Sequence, residues 1–192
     1  MDEKTREHLN NLHSRDADLR YASFHYLIQL TQQPVNWAYE VWDELLALLR
    51  NGDNHQRAIA AQLLSNLAKS DSQKRMLNHL DQLIAVTKDE KFVTARHSLQ
   101  SLWKVGVASE DLKKMVVENL GKRFIECIDE KNCSLIRYDI LEVLRKMYDQ
   151  LQDEKLKDIA LTLIEKEEDP KYRKKYAGLW KRITKKASEK KP

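Results

Sequence analysis

The chain has 192 residues, 42% of them hydrophobic and 33% charged, which is enough apolar material for a core, while no run approaches the ~18 apolar residues that span a bilayer. Only 4 Gly and 3 Pro leave little turn chemistry for a sandwich or barrel, so the economical fold class is all-α. The net charge of +4 is uneven: residues 171–192 hold ten Lys or Arg against the single acid Glu189, a net of +9, so the other residues sum to −5.

A basic tail on a mildly acidic body reads first as a solvated terminal segment, and less as a nucleic-acid or membrane footprint. The polar, acidic start Met1-Asp2-Glu3-Lys4 has neither the apolar stretch nor the cleavage site of a signal peptide. Cys127 and Cys133 are too few for a disulfide framework and read as small buried hydrophobes with reduced thiols, so a cytoplasmic location is expected.

In chain order, residues 2–13 form a short first helix with Leu9 and Leu12 on one side. Asp16 or Asp18 then caps a helix over about 17–31, because a carboxylate there accepts from the open N–H groups of a helix start. Ala22, Ser23, Tyr26, Leu27 and Leu30 follow Arg20 on one face. Gln33-Pro34 ends this helix. A partner over 37–50 follows, with Trp37 and Trp42 too far round from each other to share a face, so one of them is a candidate interface anchor unless a neighbour covers it. Asn51-Gly52 stops it, glycine being read as the residue of a left-handed helix end.

The next helix begins at Asp53, and Arg57 is followed by Ile59, Ala60, Leu63, Leu64 and Leu67. Its partner restarts at Ser70-Asp71 and carries Met76, Leu77, Leu80, Leu83 and Ile84. Arg96 heads a third such helix ending near Gly106, and its partner runs from Ser109 to about Ile128. Gly121 within it costs about 1 kcal/mol relative to Ala and is read as a kink or a close helix approach. Arg137 heads the fourth, where Asp139 interrupts the apolar pattern, and the partner covers about 153–166 with Leu156, Ile159, Ala160, Leu163 and Ile164 inward. Asp169-Pro170 starts a fifth Arg helix bearing Tyr176, Leu179, Trp180 and Ile183.

The arginines Arg20, Arg57, Arg96, Arg137 and Arg173 thus recur 37, 39, 41 and 36 residues apart. A two-helix unit of this length cannot bury both faces alone, so a period of this size predicts a stack sharing one core, with polar end units. Small residues at the early offsets (Ala22, Ser23, Ala60, Ala61, Ser98) would let helices approach closely. The expected domain is a single array over residues 1–185, its first helix and last Arg helix serving as half-repeat caps, followed by a frayed basic tail over 186–192.

Asp53…Arg57-Ala58-Ile59-Ala60-Ala61-x-Leu63-Leu64-x-x-Leu67, Asp16…Arg20-x-Ala22…Leu27-x-x-Leu30 and Asp169…Arg173…Leu179-Trp180 resemble the HEAT repeat, an armadillo-like helical family whose second helix carries an acid and then an arginine. Units three and four depart, with Phe92 and Cys133 in the place of the acid. The resemblance covers nearly the whole chain. It implies an α-solenoid of about five helical hairpins in a right-handed superhelix, and it implies no particular chemistry.

Two readings of the arginine column follow. In the favoured one it is structural, each arginine bonding an acid or a helix-end carbonyl in a ladder of Asp16, Arg20, Asp53, Arg57, Arg96 and Asp169. In the other, the ridge exposed by the Arg helices is a ligand surface, holding Tyr21, His25, Gln62, His97, Lys104, Arg137, Tyr138, Glu142, Arg145, Arg173, Lys174 and Lys181. Cations with interleaved aromatics along one groove can follow a phosphate backbone. In this respect the chain is also similar, more distantly, to the HEAT-like alkylpurine DNA glycosylases, which implies damaged DNA on a basic concave face. None of their catalytic residues maps onto a numbered position. Trp103 and Trp180 read as packing, and Asp139 beside Tyr138 is the one oddly placed carboxylate, a candidate site against the commoner solvated face.

The six histidines show no metal-ligand spacing, and no Gly-rich phosphate loop or nucleophile elbow occurs. No cofactor, metal or catalytic residue is therefore expected. The function expected is a non-enzymatic, monomeric scaffold or adaptor that binds a protein or peptide on its concave face. The alternative is a DNA-binding protein, related to base repair, that uses a basic groove in its C-terminal half. A regulatory subunit or lyase-like enzyme acting on a protein cofactor is a third, which no residue selects.

Overall fold

The computed structural model describes residues 1–181; Ile183 and the 186–192 tail lie outside the described residues. The protein is all-helical, 78% helix with no strand among the described residues. Ten α-helices are described: α1 (Glu3–Asn11), α2 (Ala17–Leu30), α3 (Ala38–Asn51), α4 (Asn54–Leu67), α5 (Met76–Val86), α6 (Phe92–Gly106), α7 (Glu110–Glu126), α8 (Cys133–Leu151), α9 (Glu154–Glu165) and α10 (Pro170–Gly178). One-turn 3-10 helices follow α4 (Ala68–Ser70) and α7 (Cys127–Asp129).

Local chemistry sets most starts. Asp16, Asp153 and Asp169 accept backbone N–H groups at the heads of α2, α9 and α10, and Ser109 does so for α7. Asp53 and Gln56 form a reciprocal capping box on α4. The late start of α5 differs from the sequence expectation. The Asp71 carboxylate accepts from the N–H groups of Arg75 and Met76 and from the Tyr39 hydroxyl, so residues 71–75 fold around it as a loop instead of a helix.

Gly52 is not left-handed; its φ is −70°. Its requirement is steric, since an added Cβ would lie 2.6 Å from the Leu48 carbonyl oxygen and 2.7 Å from Gln56 Cβ. Gly121 lies inside the uninterrupted α7 and admits no close neighbour, because nothing lies within 4 Å of a Cβ placed there.

Packing follows an alternating order. α2 lies on α4, α4 on α6, α6 on α8 and α8 on α10; α3 lies on α5, α5 on α7 and α7 on α9. Cross-contacts between the two successions, such as α3 with α4 and α6 with α7, close one core. The end helices pair as well, α1 with α2 and α9 with α10. Close approach of α4 and α6 uses small residues: Ala60 and Ala61 are wholly buried, and the hydroxyls of Ser65 and Ser101 meet at 3.0 Å. Ser23 and Ser98 are buried too, whereas Ala22 is exposed.

Both Trp37 and Trp42 are core residues, 7% and 0% exposed, which removes the expected interface anchor. Trp37 lies among Leu9, Leu27, Leu63 and Leu67 of α1, α2 and α4, while Trp42 points to the other side and bonds His79 of α5. Ile128 and Ile159 were expected inside and are exposed, Ile128 because the helix has by then given way to a 3-10 turn. No described helix is long and apolar enough to cross a membrane.

Candidate functional site

Each repeated arginine is held from within. Arg57 makes a bidentate pair with Asp89 (2.6 and 3.0 Å) and also donates to the Gly52 carbonyl. Arg96 pairs in the same manner with Asp139 (2.7 and 3.2 Å), which Gln100 also reaches. Arg137 donates to the Phe124 carbonyl and to Glu167, both at 3.0 Å. Arg20 reaches the Ser14 carbonyl at 2.9 Å and Asp53 at 3.8 Å, and Arg173 reaches the Glu167 carbonyl at 2.7 Å.

The acid thus comes from the following unit, 32, 43 and 30 residues on for Arg57, Arg96 and Arg137. Asp16 and Asp169 are caps and not arginine partners; only Asp53 does both jobs. Asp139, the oddly placed carboxylate, is 1% exposed and is the partner of Arg96, so it is not an open site. The sequence reading missed Asp89 and Glu167 because these acids stand at no fixed offset from the next arginine.

The Arg57 guanidinium holds the Asp89 carboxyl below its ordinary value, opposing the burial that raises it, with the Lys91 N–H assisting. A lowered folded-state pKa means that the stabilisation is complete above the unfolded value of about 3.9 and is lost as pH falls through the folded one. Asp89→Asn is expected to cost about 2 kcal/mol near neutrality. The gap from wild type should narrow as denaturation is repeated from about pH 5 down to about pH 2. A gap independent of pH would show that the pair's charge contributes nothing.

These pairings thin the basic ridge. Arg137 is 7% exposed and buried with its acid, so it is withdrawn from the ligand surface expected of it. Arg145 is engaged by Asp149 at 2.8 Å and by the Leu179 carbonyl. Lys104 is half-buried against Asn66; burial, then Lys69 and Lys146, push its ammonium below the ordinary lysine value. Arg173, Lys174 and Lys181 are exposed, and Lys175 sits 4.8 Å over the Tyr138 ring. Trp180 is buried, while Trp103 is half-buried with Lys104 beside its ring.

The opposite end of the same helix succession is of different character. The first halves of α2, α4 and α6 enclose a groove of about 890 Å³ lined by Tyr21, Phe24, His25, His55, Ile59, Gln62, Phe92, Val93 and His97. Tyr21 and Val93 stand 64% and 66% exposed. Tyr21 is braced edge-on by His25 at 4.2 Å. Partial burial, then the Arg96 cation, hold the His97 imidazole below its usual value, so it is neutral near pH 7. Among the described residues the formal charges on the rim are Asp18, Arg20 and Lys91, and Arg20 is paired.

No family model matches this sequence, and no curated protein does. The groove is therefore read from its own chemistry. Tyr21 and His97 were legible on the exposed offsets of the repeated helix, but Phe92 and Val93 precede their arginine and lay outside that register. An apolar Val in the first turn of a helix with no capping side chain was the available signal. Among the described residues no cluster of three or more His, Cys, Asp or Glu is arranged to hold a metal.

Proposed function

We propose that this protein is a HEAT-like binding module that takes a protein or peptide segment in the groove across α2, α4 and α6. The single observation that carries the reading is exposed apolar and aromatic surface, Tyr21 and Val93, standing in a concavity with little net charge. A monomer does not leave such a concavity bare without cost, and aromatic anchors in pockets dominate binding energy. The succession α2–α4–α6–α8–α10 beside α3–α5–α7–α9 supports the α-solenoid reading, with the right-handed superhelix that the HEAT resemblance implies. The function is then that of a scaffold or adaptor, working as a monomer in the cytoplasm.

Nucleic-acid binding through the C-terminal half is the weaker reading, because Arg137 and Arg145 each already commit Nε and one Nη donor to Glu167, Asp149 and backbone carbonyls. Selection from a displayed peptide library tests the preferred one. Peptides enriched on the wild type should bind a Tyr21→Ala/Val93→Asp variant at least about tenfold more weakly. Both side chains are exposed, so the variant's stability should stay within about 0.5 kcal/mol. Equal binding by wild type and variant would end the groove reading. Salt-sensitive binding of short DNA that survives the double variant would favour the nucleic-acid reading instead.

A further inference from the structure

Cys127 opens the one-turn 3-10 helix after α7, and Cys133 is the first residue of α8. The turn between them brings their sulfurs to 3.1 Å, with both thiols free. That separation is about 1 Å longer than an S–S bond, so small rotations of two side chains suffice to join them. The two sulfurs differ in access. Cys127 is wholly buried, and its thiol is pushed up to about 12 by burial and by the neighbouring Cys133 sulfur. It also donates weakly to the Phe124 carbonyl at 3.4 Å. Cys133 is only half-buried and lines a surface cavity of about 340 Å³ with Ser134, Arg137 and Tyr172, beneath the 166–169 segment. Cys133 belongs to the lining of that cavity and Cys127 does not.

We propose that Cys127 and Cys133 form an oxidisable dithiol, a modification site that a hydroperoxide converts to an intramolecular disulfide, with Cys133 attacking and Cys127 resolving. The Cys133 thiolate attacks the outer peroxide oxygen and the O–O bond breaks. The alkoxide takes a proton and leaves as an alcohol, and Cys133 becomes a sulfenic acid. Cys127 then attacks the Cys133 sulfur; the S–S bond forms, the S–O bond breaks, and hydroxide leaves as water with the Cys127 proton. Two thiols have lost two electrons and the peroxide has gained them. The buried, neutral Cys127 is a poor first attacker, since the thiolate is the nucleophile. It already lies 3.1 Å from the sulfur it attacks in the second step. The proposal is independent of the peptide groove, which lies on other helices.

The test treats the whole reduced protein with tert-butyl hydroperoxide and reads intact mass, alkylatable thiols and a peptide map. Wild type should lose two hydrogens and both alkylatable thiols, and yield a crosslinked peptide joining Cys127 to Cys133. Cys127→Ser should stop at a sulfenic acid on Cys133 that dimedone captures. Cys133→Ser should react at least about tenfold more slowly, since only the buried thiol is left. Two unchanged thiols in wild type, a disulfide between two chains, or equal rates for the two serine variants would each overturn it. The wild-type peptide map needs no variant to fold, so it decides the question even if both substitutions prove damaging.

Discussion

Trp42→Ala is expected to lower the unfolding free energy by about 3–5 kcal/mol, the range for deleting a large buried aromatic. Trp42 has no exposed surface. Its indole N–H donates to His79 Nδ1 at 3.2 Å, tying α3 to α5, and the Arg75 guanidinium lies 5.7 Å from its ring. Deletion therefore leaves a cavity and an unpaired His79 together. Trp42→Phe keeps most of the volume and should lose only about 1–2 kcal/mol. Urea denaturation followed by circular dichroism measures both. A loss below about 1 kcal/mol for the alanine variant would mean that the site is not part of the packed core.

The second large effect is expected at Arg137. Its side chain and that of Glu167 are each only 8% exposed, and the guanidinium also covers the Phe124 ring at 4.8 Å. Arg137→Met keeps the bulk but strands a carboxylate, so the loss should be about 3–5 kcal/mol. Removing the acid too, in Arg137→Met/Glu167→Met, should recover much of that, because a buried pair exchanged for apolar groups is often near neutral. A double variant as unstable as the single one would show that the arginine acts mainly through its bond to the Phe124 carbonyl. Its burial also means that Arg137→Met tests the fold and says nothing about a ligand surface.

These two residues, one an expected anchor and one on the expected ridge, turn out buried; reading the sequence succeeds on signals that act locally. The apolar periodicity after each arginine, the capping acids Asp16, Asp53 and Asp169 and the scarcity of glycine and proline are local signals. They lead to helices whose bounds agree closely with α2, α3 and α4 and with the end of α6. Where a long-range contact competes with a local one, the local reading fails. Asp71 reads as a helix start, but Tyr39 from α3 bonds it within a loop. Gly52 reads as a left-handed residue, yet its constraint is the Leu48 carbonyl and the Gln56 side chain that a Cβ there would meet.

The site divides along the same line. That Tyr21 and His97 face outward follows from their place on a 3.6-residue period, which needs nothing beyond the helix itself. That they share a groove with Phe92 and Val93 depends on α2, α4 and α6 lying side by side. Lys104, Arg137 and Arg145 have the same formal charge in the sequence. Only packing made one half-buried against Asn66, one locked to Glu167 and one bound to Asp149 and a backbone carbonyl.

By itself, the sequence determined that this protein is helical, where the capped helices α2, α4, α7, α9 and α10 begin, and most of the apolar face of each, because propensity, capping and periodicity act within a few residues. The tertiary structure alone decided which acid each arginine meets, that both Trp37 and Trp42 are covered, and that the two cysteine sulfurs come within 3.1 Å. Those outcomes depend on distances between segments far apart along the chain, or on the path of a turn, and neither is encoded in the spacing of residues on one helix.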